Sequence, residues 1–302
     1  MRPRRSSFTD DPTDQKGQTM AVDTTTATEL TAEQVQHTLV QPLEAASTFL
    51  SSGVRIFDTA SQLRLPKGPK AQDVSFVGEN EQIPEIDPDF GELTLLPSTM
   101  KSIKTLTRYS NELARQSVIA LDAALKDRLV SDVAAKIDAQ FLGAGGDGTT
   151  TPRGLFGFPD TQQVNVGGPL TLDTVLQGLA LLVKANVPTS GLKLFIQPDD
   201  YLAIRGTKDT TGRFIIAPEN SQGLGVNLLG ITPVLTARVP AGSAAIVAPS
   251  QVAVARDLAP TVKILTKTYG DYDQQAIRVV CRYDAAPLNP EAIVKFTGVT
   301  AG

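Results

Sequence analysis

Hydrophobic positions along the chain fall into four zones of different period. From Thr31 to Gly53 the spacing of Val35, Leu39, Leu43 and Leu50 predicts a helix, kinked or broken at Pro42 and ended by Gly53. Residues 64–97 carry no such period. Pro66, Gly68, Pro69, Gly78, Pro84, Pro88, Gly91 and Pro97 punctuate short β-like runs at Val74–Val77 and Leu93–Leu96, which reads as a long two-stranded ribbon. Such a ribbon has too few apolar residues for a core of its own, so it must lie on the rest of the chain or on another copy.

Alternation over Thr99–Arg108 predicts a strand. The strongest helical signal follows: Leu121, Leu125, Leu129, Val133, Ile137 and Phe141 recur every fourth residue, behind a Ser110 cap and Glu112, and ahead of Gly143. A helix from Ser110 to Phe141 would run about 45 Å at 1.5 Å per residue and serve as the spine of an elongated domain. Beyond the Gly143–Pro152 loop, helix and strand alternate. Helices are predicted at Leu172–Val183 and at Asp199–Arg205, the latter capped by Asp199 or Asp200. Strands are predicted at Leu192–Ile196, Ile231–Thr236, Ala244–Val247, Val252–Ala255, Val262–Tyr269, Gln275–Tyr283 and Ala292–Phe296, with a hairpin at Gly270-Asp271. The class is α+β with mixed sheets in more than one subdomain.

Composition narrows the chemistry. The 302 residues are enough for two domains or one large one. A net charge of -4 argues against bulk attraction to nucleic acid or an acidic membrane. One Cys and one His exclude an intrachain disulfide and zinc-finger-type metal sites. No run of 18 apolar residues is present, and the basic start (Met1 to Arg5) lacks an apolar stretch behind it, so an intracellular site of synthesis is expected. Residues 1–30 are polar and are expected to form little structure; Met20 offers a second start.

The candidate motifs mostly have bland explanations. Gly143-x-Gly145-x-x-Gly148 has the letters of a dinucleotide fingerprint, but a helix precedes it and Thr149-Thr150-Thr151-Pro152 follows, so it reads as a helix exit. His37 reads as a solvated surface residue and Cys281 as a packed strand residue. Acids cluster at Glu79, Glu81, Glu85, Asp87, Asp89 and Glu92 without the order of a calcium loop. The preferred reading is an electrostatic dock for a basic surface on a neighbouring subunit, involving Lys101, Lys104 or Arg108.

Four stretches, in order, resemble the major capsid proteins of tailed bacteriophages, whose fold is shared with encapsulin nanocompartments. They are Val74-Ser75-Phe76-Val77-Gly78-Glu79 running on to Pro84; Leu106-Thr107-Arg108-Tyr109-Ser110-Asn111-Glu112-Leu113 with the helix that closes on Phe141-Leu142-Gly143 and Pro152-Arg153-Gly154-Leu155; Gln197-Pro198-Asp199-Asp200-Tyr201 with Lys208-Asp209 and Gly212-Arg213-Phe214; and Leu229-Gly230-Ile231-Thr232-Pro233-Val234 with Val239-Pro240 and the end from Arg282-Tyr283-Asp284 to Pro290-Glu291-Ala292-Ile293. The likeness covers about residues 50–297.

The resemblance implies a phage major-capsid fold: an N-terminal arm (1–49), an extended loop (64–97), a peripheral domain with a spine helix (50–63, 98–166 and 258–289) and an axial domain (167–257 and 290–302). It implies hexamers and pentamers closing into an icosahedral head around double-stranded DNA, with no enzyme activity and no cofactor or metal. An encapsulin-like protein compartment is the alternative, which the long arm disfavours. Inter-subunit contact candidates are Lys67, Lys70, Glu79, Glu81, Glu85, Asp87, Lys101, Lys104 and Arg108. Some relatives crosslink Lys to Asn. Lys67 and Lys70 lie in the right loop here, but the partner strand reads Asp273-Gln274-Gln275-Ala276, without Asn, so noncovalent cohesion is expected. Expected partners are other copies, with a separate scaffolding protein, portal and decoration protein as further candidates; packaged DNA would be touched weakly and without sequence preference. The expected location is the virion, after assembly in the host cytoplasm. A compact 32.0 kDa protein exposes on the order of 12,000 Å²; a shell protomer with an unburied ribbon and arm is expected to expose clearly more.

Overall fold

The computed structural model describes residues 41–66, 76–77, 91–116, 121–216, 227–257 and 261–300. In chain order these form α1 (Gln41–Ala46), β1 (Arg55–Thr59), β2 (Leu63–Pro66), β3 (Glu92–Leu95), β4 (Ile103–Ser110), α2 (Asn111–Gln116), α3 (Leu121–Phe141), β5 (Gln162–Gly168), α4 (Leu172–Lys184), β6 (Lys193–Ile196), α5 (Pro198–Arg205), β7 (Thr232–Leu235), β8 (Ser243–Val247), β9 (Val252–Asp257), β10 (Thr261–Tyr269), β11 (Gln274–Cys281), β12 (Tyr283–Pro287) and β13 (Ile293–Val299). The strands make four sheets, ordered β1-β9-β12, β10-β11-β4, β5-β13-β8-β6-β7 and β2-β3. Parallel pairs (β1 with β9, β5 with β13, β6 with β7) mix with antiparallel ones, as the α+β reading requires.

Three apolar clusters divide the chain. The first packs α3 through Leu129, Val133, Ile137 and Phe141 against Ile277, Val279, Cys281 and Tyr283. The second lies under α4 and α5, where Val175, Leu182 and Tyr201 meet Leu194, Ile246 and Phe296. Strands β6, β8 and β13 are buried on both faces, which explains their unbroken apolar runs: Phe195 faces the first cluster while Leu194 and Ile196 face the second. The third is small and roots the ribbon: Leu95, Leu96 and Met100 against Ala253, Ala255 and Ala286.

Several sequence expectations change. The first helix ends at Ala46, short of Gly53, because Asp138 of α3 captures the next turn. Its carboxylate accepts Ser47 Oγ–H at 2.6 Å, Thr48 N–H at 2.8 Å and Phe49 N–H at 3.0 Å. Gly53 then closes a 3-10 turn with φ 97. The spine has a wider buried face than one stripe, since Val130, Ala134 and Asp138 are buried too, where α1 covers its flank. Residues 117–120, in the middle of the expected helix of about 45 Å, lie outside the described residues; Ser110 Oγ caps α2, accepting Leu113 N–H at 3.2 Å.

The strand expected from Thr99 starts at Ile103. Upstream, Met100 plugs the third cluster and its N–H turns back to Pro97 O. The strand expected over Gln275–Tyr283 breaks at Arg282, and Tyr283 opens a strand in a different sheet. Neither Asp199 nor Asp200 caps α5; Gln197 is the N-cap, with Pro198 at the first helical position. Thr171 caps α4 through a reciprocal pair with Thr174. Strands β1, β5 and β12 were not expected.

Candidate intersubunit surfaces

Of the nine expected contact residues, Lys67, Lys70, Glu79, Glu81, Glu85 and Asp87 lie outside the described residues, as do His37 and the run Val74–Ser75. Lys101, Lys104 and Arg108 are described, and all three are exposed. Lys101 precedes β4 and is held by its backbone N–H to Thr150 O. Lys104 and Arg108 share the outward face of β4 with Leu106, while Ile103, Thr105 and Thr107 alternate toward α3.

Sheet register adds residues that sequence reasoning missed. Arg278 of β11 lies opposite Leu106, and Lys263 of β10 lies opposite Arg278. One sheet face therefore carries Lys104, Arg108, Arg278 and Lys263 around an exposed Leu106. The guanidinium of Arg108 stacks over the Tyr269 ring at 4.1 Å, which fixes it without neutralising it. Among the described residues, Lys104, Arg108 and Arg278 make no ion pair. Alternation of Lys263 and Arg278 on the two arms of the predicted hairpin was the available signal, but only register places them beside Lys104.

The ribbon root is built from β2 and β3, whose antiparallel ladder runs from Leu63 opposite Leu95 to Pro66 opposite Glu92. An exposed Arg64–Glu92 pair at 3.5 Å spans it and contributes little. Other exposed apolar side chains gather on the unit of the second cluster: Leu176 and Val183 on α4, Leu202 on α5, and Phe214, Ile215 and Leu229 in the following loops.

Sites for chemistry fare poorly. The Gly143–Gly148 turn holds no anion cradle, because Asp147 fills it. Its carboxylate accepts the N–H groups of Thr149, Thr150 and Thr151 at 2.8–3.0 Å, which hold it well below the usual carboxylate range. The same loop needs glycine at residue 146, where a Cβ would stand 2.0 Å from Pro152 O. Cys281 is buried and its thiol is pushed up to about 12 by that burial, so it is not poised as a nucleophile. No group of three or more His, Cys, Asp or Glu is arranged for a metal among the described residues, and no described helix is long and apolar enough to cross a membrane.

Buried charges instead join parts of the fold. Arg256 of β9 is forked between Glu44 of α1 and Asp58 of β1, with Asp58 at 2.6 and 2.8 Å. Lys295 of β13 donates to Phe156 O at 3.3 Å and Phe158 O at 3.0 Å; burial lowers its pKa. These contacts tie strands to α1 and to the turn after α3.

The same fold recurs in solved structures of capsids and virus-like particles. The capsid of the native GTA particle matches with a TM-score of 0.69 at 16% identity, covering 84% of this chain and 91% of that one. The Mycobacterium phage Cain structure gives 0.64 at 16% identity over 83% and 90%. A virus-like particle from Pyrococcus furiosus gives 0.56 at 12% identity over 87% and 98%. No curated protein matches in sequence. Residues 28–298 match the sequence profile of the phage capsid family, and the chain belongs to that family, one of structural proteins rather than enzymes.

Proposed function

We propose that this capsid protein assembles as hexamers and pentamers into an icosahedral phage head that encloses double-stranded DNA. The observation that carries the reading is the family match over residues 28–298, together with a fold whose ribbon root rests on a core of only a few side chains. A protomer of this kind gains stability from its neighbours, so folding and assembly are coupled. The layout follows the resemblance: arm 1–49, loop 64–97, peripheral domain around α3 and the β10-β11-β4 sheet, and axial domain around the five-stranded sheet.

Between residues 71 and 100 the chain has seven acids and no Lys or Arg. We assign the acids Glu79, Glu81, Glu85 and Asp87 of one copy to the basic surface bearing Lys101, Lys104 and Arg108 on the next, with Lys67 and Lys70 in the same interface. Opposite charges of this sort set register and partner choice more than affinity. Cohesion is noncovalent. DNA is confined by the shell with weak, sequence-independent contacts, and separate scaffolding, portal and decoration proteins are the candidate partners during assembly in the host cytoplasm.

Electron microscopy of the purified full chain, followed by nuclease treatment and extraction of contents from the parent particle, tests this. Closed shells with protected DNA are expected. The likeness to the Pyrococcus furiosus particle supports a second reading, an encapsulin-like compartment. Shells holding protein and no DNA would favour it.

A further inference from the structure

The root of the ribbon is held by one buried carboxylate. Strand β3 ends at Leu95, and the chain reverses at Leu96, whose φ of 52 lies in the left-handed region that a bulky residue seldom occupies. Both leucines are seated in the third cluster. The Leu96 N–H donates to Asp284 Oδ2 at 2.9 Å, and the Ala285 N–H donates to Asp284 Oδ1 at 2.9 Å. Asp284 is 3% exposed on β12.

Among the described residues, no cation pairs with this carboxyl. Arg282 donates to Pro97 O at 3.2 Å and stands 3.8 Å from Asp257. Arg256, on the β9 strand that faces Asp284 through Ala255, is taken by Glu44 and Asp58. A cavity of about 330 Å³ reaches Asp284 from outside; its charged walls are Asp147, Asp160 and Arg153, and Arg153 donates to the Asp147 carbonyl. Glu92 of β3 pairs outward with Arg64. Burial pushes the Asp284 carboxyl up to about 6, and the two backbone N–H groups only partly offset it.

We propose that Asp284 and Leu96 form a protonation-controlled joint that sets how firmly the ribbon root is seated on the body. In the seated state the carboxyl is 3% exposed at the edge of this cavity; when Leu95–Pro97 lifts, the cavity opens onto it. A protonated Asp284 leaves no charge buried, so seating is unopposed. An ionised Asp284 is relieved by hydration, so lifting is favoured. The sign follows from linkage. The seated state has the higher pKa, so its advantage is complete below the ordinary value of 3.8 and is lost as pH rises through about 6. The joint tightens in mild acid and loosens at neutral pH, re-aiming the β2-β3 ladder against β9 and β12.

Amide hydrogen exchange on the full chain tests this, read at Leu96 and corrected for the intrinsic pH dependence of exchange. Protection at Leu96 is expected to fall roughly 25-fold between pH 4.5 and 7.5, while amides of β8 hold constant. In Asp284→Asn the profile is expected to be flat. Constant protection in the native chain, or an unchanged fall in Asp284→Asn, overturns the proposal. Should that variant not fold, carboxyl carbon NMR of the native chain decides: a midpoint near 6 supports the joint, and one near the ordinary aspartate value overturns it.

Discussion

Replacing Asp138 with alanine should detach the turn at residues 47–50 from the spine helix. The carboxylate is 5% exposed and is the acceptor for Ser47 Oγ–H, Thr48 N–H and Phe49 N–H. Each hydrogen bond to a charged group is worth about 1.5–3 kcal/mol, and a buried donor left alone costs about 1–3 kcal/mol. The three share one acceptor and do not add fully, so the expected loss is about 3–5 kcal/mol, a large part of the ~5–15 kcal/mol that holds a typical domain. The Phe49 ring packs against Phe141 in a tilted pair at a centroid distance of 5.2 Å, so its release also loosens the first cluster. With no Trp in the chain, urea unfolding of the unassembled protomer is best followed by far-UV circular dichroism. Asp138→Asn keeps one acceptor oxygen and should lose about half as much, and exchange at Thr48 and Phe49 should accelerate before that of α3. A midpoint for Asp138→Ala within about 1 kcal/mol of the native chain would refute the reasoning.

Other changes probe packing, reactivity and the interface. Gly178→Ala places a Cβ 2.6 Å from Phe296 Cζ; overpacking of this kind costs about 1–3 kcal/mol and should lower the melting temperature, whereas an unchanged melt contradicts the packing of α4 on β13. Cys281 should resist a thiol-specific chromogenic reagent in the native protein and react once urea unfolds it; rapid native reaction would contradict its burial. The double change Lys104→Glu with Arg278→Glu removes exposed cations from one sheet face, so protomer stability should move by no more than about 0.5 kcal/mol while assembly fails. Normal particles from that variant count against the basic face as an interface.

Much of the fold was legible because its elements obey a single period over enough residues. The fourfold recurrence from Leu121 to Phe141 marked α3, and the amphipathic run Leu172–Val183 marked α4. The failures share a cause: a distant residue overrides a local pattern. Asp138 ends α1 from about ninety positions away, and Arg282 splits an otherwise continuous strand because Cys281 and Tyr283 are both buried in the first cluster while belonging to different sheets. Strand β5, Gln162–Gly168, sets only Val164 and Val166 among amides and glycines, too short an apolar alternation to stand out, and is recruited by pairing with β13. At the candidate surface, Lys104 and Arg108 were visible from alternation, whereas Arg278 and Lys263 needed the register of three strands. Asp284 appeared in the sequence only as part of a family-like stretch, and its burial beneath Leu96 depends on a contact spanning 188 positions.

Sedimentation velocity of the purified full chain across a range of concentrations, with electron microscopy of the fast fraction, tests the assembly account at its root. Copies that complete one another should sediment as large closed shells in equilibrium with few small species. A single species of one-chain mass that persists at the highest concentration would contradict it.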